Sequence, residues 1–316
     1  MKNIWKPAVC HGIGKARFEG WYYKIVDRLK KHSFAIIPGF SSGEPAQAFI
    51  QIFDGLTNQY TFISYPLEEF IYHKDFFEVS IGKNYFSQDK IKMGIENQQL
   101  HIEGEISFSS HIPWPVTRFT PGAMGPFAFL PRMECSHGVL SFNPKVSGKL
   151  LVNSFPIIFD GGKGYIEKDW GRSFPQAWIW MQSNHFPDEN ISFMASIAKI
   201  KYLGQQFTGF LAGFLLNGEL YLFSTYNRTK LDQLIIKDNY VSFILRKGKV
   251  RINVEADQRN KTRIKGPVSG KMVGKVLESL TSSISIDFVD SKKGLEYKGI
   301  GDMAGLEIMG QLKDFI

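Results

Sequence analysis

Apolar and polar side chains alternate at every second position through most of this 316-residue chain. Because successive side chains of a β-strand point to opposite faces, a period of two predicts strands that bury one face. Turn-forming pairs such as Asp54-Gly55 and Asn217-Gly218 separate the alternating segments. Short strands at this spacing are typical of β-sandwiches and β-barrels, so the sequence predicts an all-β fold. Residues 271–280 are a weak candidate for a helix.

A weak internal repeat indicates that the strands belong to two related domains. Trp21 is followed by Phe34 thirteen residues later, and Trp180 is followed by Phe193 at the same distance. The two copies lie about 159 residues apart, roughly half of the chain. Duplication of one β-unit explains this spacing. We therefore predict two β-domains in tandem, residues 1–172 and residues 173–316.

Residues 111–133 interrupt the alternation with five prolines, namely Pro113, Pro115, Pro121, Pro126 and Pro131. Proline cannot donate a hydrogen bond to a neighbouring strand, so this pattern predicts a long irregular segment. The segment also contains Trp114, Phe119 and Phe127, which indicates that it packs against the domain. A long loop of this kind is often a lid or one wall of a binding site.

The composition excludes several classes of protein. The N-terminus has no apolar run typical of a signal peptide, and nowhere do about 18 apolar residues follow one another, so no membrane span is predicted. The two cysteines, Cys10 and Cys135, are too few for a disulfide framework and favour a reduced, cytoplasmic setting. No phosphate-binding loop, dinucleotide fingerprint or serine-nucleophile motif occurs, and we predict no cofactor.

The seven histidines are scattered through the chain without the spacing of metal ligands. We therefore predict no metal site and expect each histidine on the surface or in a loop. They are His11, His32, His73, His101, His111, His137 and His185.

Much of the net charge of +8 comes from residues 246–271, which contain nine basic residues and only two acidic residues, Glu255 and Asp257. A solvated sheet face is the simplest interpretation of such a stretch. The alternative is peripheral contact with an anionic membrane. No nucleic-acid-binding motif accompanies these charges, so we expect no nucleic acid partner.

Two segments place aromatic and polar side chains on the same strand face. In the first, Arg17-Phe-Glu-Gly-Trp-Tyr-Tyr-Lys24, alternation puts Glu19, Trp21 and Tyr23 on one face. In the second, residues 165–184, one face holds Tyr165, Glu167 and Asp169, and after a turn a second face holds Trp178, Trp180, Gln182 and Asn184. Indole rings beside two amides are typical of the wall of a mixed polar and aromatic cavity.

These segments resemble the two most recognisable blocks of plant and cyanobacterial tocopherol cyclases. The matching stretches are Phe-Glu-Gly-Trp-Tyr-Tyr-Lys at residues 18–24 and Glu-Lys-Asp-Trp-Gly…Phe-Pro…Trp-Ile-Trp-Met-Gln-Ser-Asn at residues 167–184. A softer likeness covers Val268-Ser-Gly-Lys and the strands that follow it. The resemblance extends to carotenoid hydratases and AttH-like proteins, and it implies two lipocalin-like β-domains, barrels or sandwiches. The cyclases usually have Asn where Asp169 stands.

The resemblance implies acid-catalysed ring closure of a prenylated phenol or a similar apolar isoprenoid. An acid protonates the prenyl double bond, aromatic faces stabilise the cation, and a base removes the phenolic proton. The candidate acids and bases are Glu167, Asp169 and Glu19. The candidate substrate-binding residues are Trp21, Tyr23, Trp170, Trp178, Trp180, Gln182 and Asn184, and we expect Trp21, Tyr23, Trp178 and Trp180 to line one cavity bounded by residues 111–133.

Three alternatives stay open at this point. Glu19, Glu167, Lys168 and Arg172 could form a buried ion-pair cluster that only stabilises packing. The protein could be a lipocalin-like carrier that binds an apolar ligand without catalysis, or it could add water to an alkene as the carotenoid hydratases do. In each case the expected partner is a hydrophobic small molecule of the prenyl-lipid class.

Overall fold

The computed structural model describes residues 6–14, 16–98, 100–131 and 133–315. Strands dominate these ranges, and the helices within them are three short 3-10 turns, Leu67–Glu69, Gly125–Phe129 and Leu312–Asp314. The predicted all-β fold of two lipocalin-like domains is therefore confirmed. The helix predicted for residues 271–280 is wrong, because these residues lie in a long strand, Lys271–Asp290, that pairs with other strands of the second sheet. Among the described helices, none is long and apolar enough to cross a membrane.

The first sheet is antiparallel and contains thirteen strands of the described chain. They are β1 (Phe18–Val26), β2 (Ser33–Ser41), β3 (Gln47–Asp54), β4 (Gln59–Tyr65), β5 (Phe70–Tyr72), β6 (Glu78–Ile81), β7 (Asn84–Ser87), β8 (Lys90–Glu96), β9 (His101–Ser109), β10 (Cys135–Ser141), β11 (Lys145–Val152), β12 (Phe155–Ile158) and β13 (Gly162–Gly171). Their order is β4-β3-β2-β1-β13-β11-β9-β8-β7-β6-β5, with β10 paired to β13 and β12 paired to β11.

The second sheet has ten strands within the described residues. They are β14 (Trp178–Ser183), β15 (Ile191–Tyr202), β16 (Gln205–Leu216), β17 (Glu219–Ser224), β18 (Lys230–Lys237), β19 (Tyr240–Lys247), β20 (Val250–Asp257), β21 (Thr262–Val268), β22 (Lys271–Asp290) and β23 (Leu295–Met309). Their order is β17-β16-β15-β14-β23-β22-β20-β19-β18, with β21 paired to β22.

The two sheets share the connectivity that the sequence repeat predicts. In each sheet the first four strands form a meander, and the first strand also pairs with the last strand, β13 or β23. Trp21 lies in β1 and Trp180 in β14, the equivalent first strands. Each sheet buries its own apolar cluster, which includes Ile36 and Phe86 in one case and Ile179 in the other.

The chain divides into two compact units that are not contiguous in sequence. The first unit contains residues 1–174 and 264–275, and the second contains residues 175–263 and 276–316. The returning segment 264–275 is hydrogen-bonded within the first unit, where Gly43 N donates to Gly270 O (2.8 Å) and Phe174 N donates to Pro267 O (3.1 Å). The predicted boundary after residue 172 lies close to the first break, but the sequence pattern gave no sign of this return.

The basic residues of the 246–271 stretch have separate neighbours. Arg246 Nε lies 3.1 Å from Asp232 Oδ2, and Lys247 Nζ donates to Leu222 O at 3.0 Å. Lys265 Nζ lies 3.7 Å from the ring centroid of Phe62. Three of the nine basic residues thus have neighbours within the protein, and contact of this stretch with an anionic membrane stays a prediction.

Candidate functional site

Strand pairing between β1 and β13 fixes which predicted residues share a face. Glu19 lies opposite Trp170, Trp21 opposite Lys168, and Tyr23 opposite Ile166. Residues directly opposite one another on antiparallel strands point to the same face. This face is the one that carries the first apolar core, in which Trp21 and Tyr23 are completely buried.

The opposite face of the same two strands holds a different set. Tyr22 lies opposite Glu167, and Gly20 lies opposite Asp169. On the other side of β13, β10 places His137 opposite Asp169. The structure therefore gathers Glu167 and Asp169 with His137, and it separates them from Trp21 and Tyr23 by the thickness of the sheet.

Glu19 and Lys168 form a fully buried ion pair on the core face. Lys168 Nζ lies 2.5 Å from Glu19 Oε1, donates to Val9 O at 2.5 Å, and lies 2.9 Å from His11 Nδ1. The two oxygens of Glu19 accept the backbone N–H groups of His11 and Gly12, each at 2.8 Å. The pair thus anchors the N-terminal segment to the sheet.

The environment of Glu19 does not suit a proton donor. Burial by itself raises the pKa of this carboxyl, but the charge of Lys168 and the hydrogen bond from His11 outweigh burial and lower the pKa to about 2. Glu19 is therefore ionised at neutral pH, with both oxygens occupied. Of the alternatives left open by the sequence, the ion-pair interpretation describes Glu19 and Lys168, whereas Glu167 lies on the other face.

The aromatic residues predicted around Glu19 pack tightly. The Trp21 ring stacks on Phe77 with centroids 4.8 Å apart, and Tyr23 OH donates to Ser87 O at 2.7 Å. Trp170 stacks on His11 at 4.5 Å. Lys168 Nζ lies 5.0 Å from the ring centroids of both Trp21 and Trp170. On this face the indoles stabilise a buried ammonium group.

The opposite face contains a chain of four polar side chains. His137 Nδ1–H donates to Asp169 Oδ1 at 2.9 Å, and His137 Nε2 lies 3.5 Å from Glu167 Oε2. Tyr165 OH donates to the same Glu167 oxygen at 2.6 Å. Nε2 makes no hydrogen bond within the part of the chain that the structure describes. We call these residues, Tyr165, Glu167, His137 and Asp169, the imidazole cluster.

The charge of the two carboxylates determines where the proton of the imidazole cluster lies. Burial lowers the pKa of His137, but Glu167 and Asp169 outweigh burial and raise it to about 9. The pKa of Tyr165 is also raised, first by burial and then by Glu167. At neutral pH the imidazole is therefore protonated. The side chains of His137 and Glu167 are 11% and 5% exposed, whereas that of Asp169 is 24% exposed.

Three residues of the imidazole cluster, His137, Glu167 and Asp169, also offer one nitrogen and two carboxylate oxygens within 4.8 Å of one another. Divalent metals accept such a donor set. Here, however, the two ring nitrogens point to different carboxylates. A protonated imidazole has no lone pair for a metal. The imidazole of His137 can therefore hold either its second proton or a divalent metal, but not both at the same nitrogen.

The sequence-based expectation that every histidine lies on the surface or in a loop is wrong for His137. It occupies β10, with its side chain almost buried. Residues 135–141 do not alternate between apolar and polar side chains, and the partners of His137 lie about 30 residues away on β13. Only the pairing of β10 with β13 brings them together.

In the second unit, Trp178, Trp180 and Gln182 share the face of β14 that is turned away from the second core, because Ile179 and Met181 point into that core. Trp178 Nε1 donates to Glu307 Oε2 at 2.5 Å. Gln182 is completely buried, as is Asn184 just after the strand.

Two carboxyl groups that the sequence analysis did not select lie on this second polar face. Glu307 of β23 is opposite Trp180 and opposite Glu278 of β22, and Glu278 is completely buried. The predicted aromatic residues thus fall in two different units, Trp21 and Tyr23 in the first and Trp178 and Trp180 in the second. A single cavity lined by all four stays a prediction.

The raised pKa of His137 predicts a loss of stability in alkaline solution. The pKa is higher in the folded protein than the ordinary value of 6.5, so the contribution is fully present below pH 6.5 and is lost as the pH rises through about 9. The shift corresponds to about 3 kcal/mol. Cys135 and Tyr165 face the same cluster, and burial raises the pKa of both, so they stay neutral in this range.

Urea unfolding between pH 6 and pH 10 measures this loss. We expect His137→Gln to flatten the profile, because no imidazole then titrates there. His111→Gln is the matched control, since His111 pairs with Asp89 at 3.0 Å near the surface. Equal slopes for the wild type and the His137 variant would contradict the assignment.

Comparison with known proteins identifies one family by sequence and several solved structures with the same fold. The sequence profile described as tocopherol cyclase-like matches residues 69–310. No sequence among the curated proteins matches the chain.

Three solved structures show the same fold at low sequence identity. A candidate AttH protein from Nitrosomonas europaea is 13% identical, with a TM-score of 0.54 and 95% of each chain covered. Kievitone hydratase from Nectria haematococca is 12% identical, with a TM-score of 0.52 over 96% of this chain and 94% of its own. CghA is 10% identical, with a TM-score of 0.58 over 94% of this chain and 89% of its own. At these identities the likeness establishes the fold.

Proposed function

Because the chain belongs to the tocopherol cyclase-like family, we propose that it is an enzyme that transfers a proton to the prenyl double bond of an apolar phenolic lipid and closes a ring. The observation that carries this proposal is the position of the His137 imidazole between Glu167 and Asp169, whose charges raise its pKa to about 9. Protonation of an alkene needs an acid inside a water-poor site, and this cluster keeps a proton there at neutral pH.

Each member of the imidazole cluster has a separate role in this proposal. Asp169 accepts from Nδ1–H and so directs Nε2 towards Glu167. His137 Nε2, which lies 3.5 Å from Glu167 Oε2, closes to hydrogen-bond distance in the proposed reaction and passes its proton to Glu167. The carboxyl group of Glu167 then protonates the alkene carbon. Tyr165 OH holds the Glu167 carboxyl in place. An amide in place of Asp169 can also accept from Nδ1–H, which agrees with the Asn found there in related cyclases.

The proposed reaction is balanced without a co-reactant. A C–H bond forms at the alkene with the proton from Glu167, and a C–O bond forms between the phenolic oxygen and the tertiary carbon. The phenolic O–H bond breaks, and its proton returns to the imidazole of His137. We retain Trp178, Trp180, Gln182 and Asn184 as proposed contacts for an apolar ligand, since three of them share one strand face. In this proposal Trp21 and Trp170 act through packing around Lys168, and Tyr23 acts through packing in the first core.

Water addition to the alkene is the second candidate reaction. Asp169 is a quarter exposed, so solvent reaches the edge of the imidazole cluster. One of the proteins with the same fold is a hydratase, kievitone hydratase. In this reaction a water molecule would take the place of the phenolic oxygen, and Glu167 would still be the proton donor.

Incubation of the protein with a prenylated hydroquinone in deuterium oxide tests the proposed function. Ring closure predicts an isomer of the substrate in which one hydrogen on carbon is deuterium, because the proton of the imidazole cluster exchanges with solvent before it is transferred. Hydration predicts a product heavier by one water. Quenching of tryptophan fluorescence by the substrate with no product at all would instead support the carrier function.

A further inference from the structure

Residues 116–121 form a tight turn at the outer end of the proline-rich segment. Val116 and Pro121 are bridged, and Thr117 N donates to Thr120 O at 2.9 Å. The two threonine hydroxyl groups are hydrogen-bonded to each other at 2.6 Å, and Thr120 N donates to Thr117 Oγ1 at 3.0 Å. We call this element the threonine turn. These amide, carbonyl and hydroxyl groups of Thr117 and Thr120 bond to one another, which lowers the cost of removing them from water.

The threonine turn presents apolar side chains to solvent. Phe119 at its tip is 75% exposed, and Val116 is also exposed. Phe129, in the adjacent 3-10 helix, is a third exposed apolar side chain. The base of the segment is fixed, because Trp114 is buried and stacks on Phe142. The exposed side chains are therefore carried by an anchored element.

The charge of the segment has one sign. Residues 111–133 contain Arg118 and Arg132 and neither Asp nor Glu. Arg118 adjoins Phe119 in the turn, whereas Arg132 lies outside the described residues. An aromatic tip beside an arginine, without a carboxylate in the segment, complements an anionic lipid surface.

We propose that the threonine turn docks the protein on an anionic lipid bilayer, with Phe119 at the boundary of headgroups and acyl chains and Arg118 among the headgroup phosphates. This docking rests on the proposed function for its biological role. A prenylated phenol dissolves in the lipid bilayer, so an enzyme that acts on it has to reach the bilayer to bind it. Specific recognition of a protein partner by this turn would need free hydrogen-bonding groups or a groove. The turn combines internally bonded threonine groups with exposed apolar side chains, which suit a lipid surface.

Vesicle flotation tests the docking. We expect the wild type to float with vesicles of phosphatidylcholine and phosphatidylglycerol, and to float less with phosphatidylcholine alone. Phe119→Ser should lower the partition coefficient about tenfold, because one aromatic side chain fewer is then buried in the lipid. Arg118→Gln should lower it for the anionic vesicles only. Phe155→Ser is the matched control, because Phe155 is 74% exposed on β12 of the same unit.

Three results would overturn the docking: no flotation of the wild type, equal flotation of Phe119→Ser, or an equal loss in Phe155→Ser. Circular dichroism of each variant confirms that it is folded. Turnover with substrate in detergent micelles separates the two proposals, because Phe119→Ser should keep full activity there. If the wild type floats but never turns over substrate, the proposed function fails and the docking stands.

Discussion

Lys168→Met is expected to lower the free energy of unfolding by about 3–5 kcal/mol, because it leaves the buried carboxylate of Glu19 without its cation. Glu19 and Lys168 are both completely buried, and the ammonium group also holds Val9 and His11. Total stabilities of domains are about 5–15 kcal/mol. The substitution should therefore bring the first unit close to unfolding at ordinary temperature.

Urea unfolding of the single and double variants measures this effect. Lys168→Met combined with Glu19→Gln should recover part of the loss, since no unpaired charge is then buried. Lys90→Met is the matched control, because Lys90 and Glu105 form an exposed pair at 2.7 Å whose loss costs less than about 1 kcal/mol. If Lys168→Met is no more harmful than Lys90→Met, the buried pair does not anchor the N-terminal segment.

Glu167→Gln and His137→Gln are each expected to lower turnover of a prenylated hydroquinone about 100- to 10,000-fold, the range for loss of a general acid. Each variant removes a group that carries the proton in the proposed reaction, but neither changes Trp178 or Trp180, the proposed aromatic contacts of the ligand. Substrate binding, measured by tryptophan fluorescence, should stay within a few-fold of wild type. Loss of binding in parallel with turnover would argue for a structural role.

Asp169→Asn separates the orienting role from the donor role. An amide oxygen still accepts from His137 Nδ1–H, so turnover at pH 7 should fall much less than in Glu167→Gln. The variant also removes one of the two charges that raise the pKa of His137, so the alkaline limb of the pH profile should move to lower pH. His111→Gln should leave the profile unchanged. A full loss of turnover in Asp169→Asn would identify Asp169 as the donor instead.

Much of the fold was predictable because strand alternation is a local property. The period of two identified the strands, and alternation placed Glu19 with Trp21 and separated Lys168 from Glu167. The repeat of Trp21 and Trp180 identified the equivalent strands β1 and β14. The prediction of a helix in residues 271–280 failed because these residues begin β22, and the pairing of this long strand with its neighbours overrides a weak local preference.

The candidate site was harder to predict because it depends on register. Alternation indicates which residues share one face of a strand, but it does not indicate whether that face packs against the apolar core. Trp21 faces its core, whereas Trp180 faces away from its own, although the two hold equivalent places in the repeat. His137 reaches Glu167 only through pairing of two strands about 30 residues apart, which no local pattern reveals.

The discontinuous first unit has a consequence for how the protein is made. Residues 264–275 complete that unit through Gly270 and Pro267, yet the ribosome synthesises them roughly 100 residues after Phe174. At about 5–20 residues per second, the nascent first domain waits on the order of 5–20 s with the surfaces around Gly43 and Phe174 uncovered. Completion of the N-terminal unit therefore depends on translation of the C-terminal part of the chain. A truncated chain that ends near residue 174 would contain all thirteen strands of the first sheet but would lack residues 264–275.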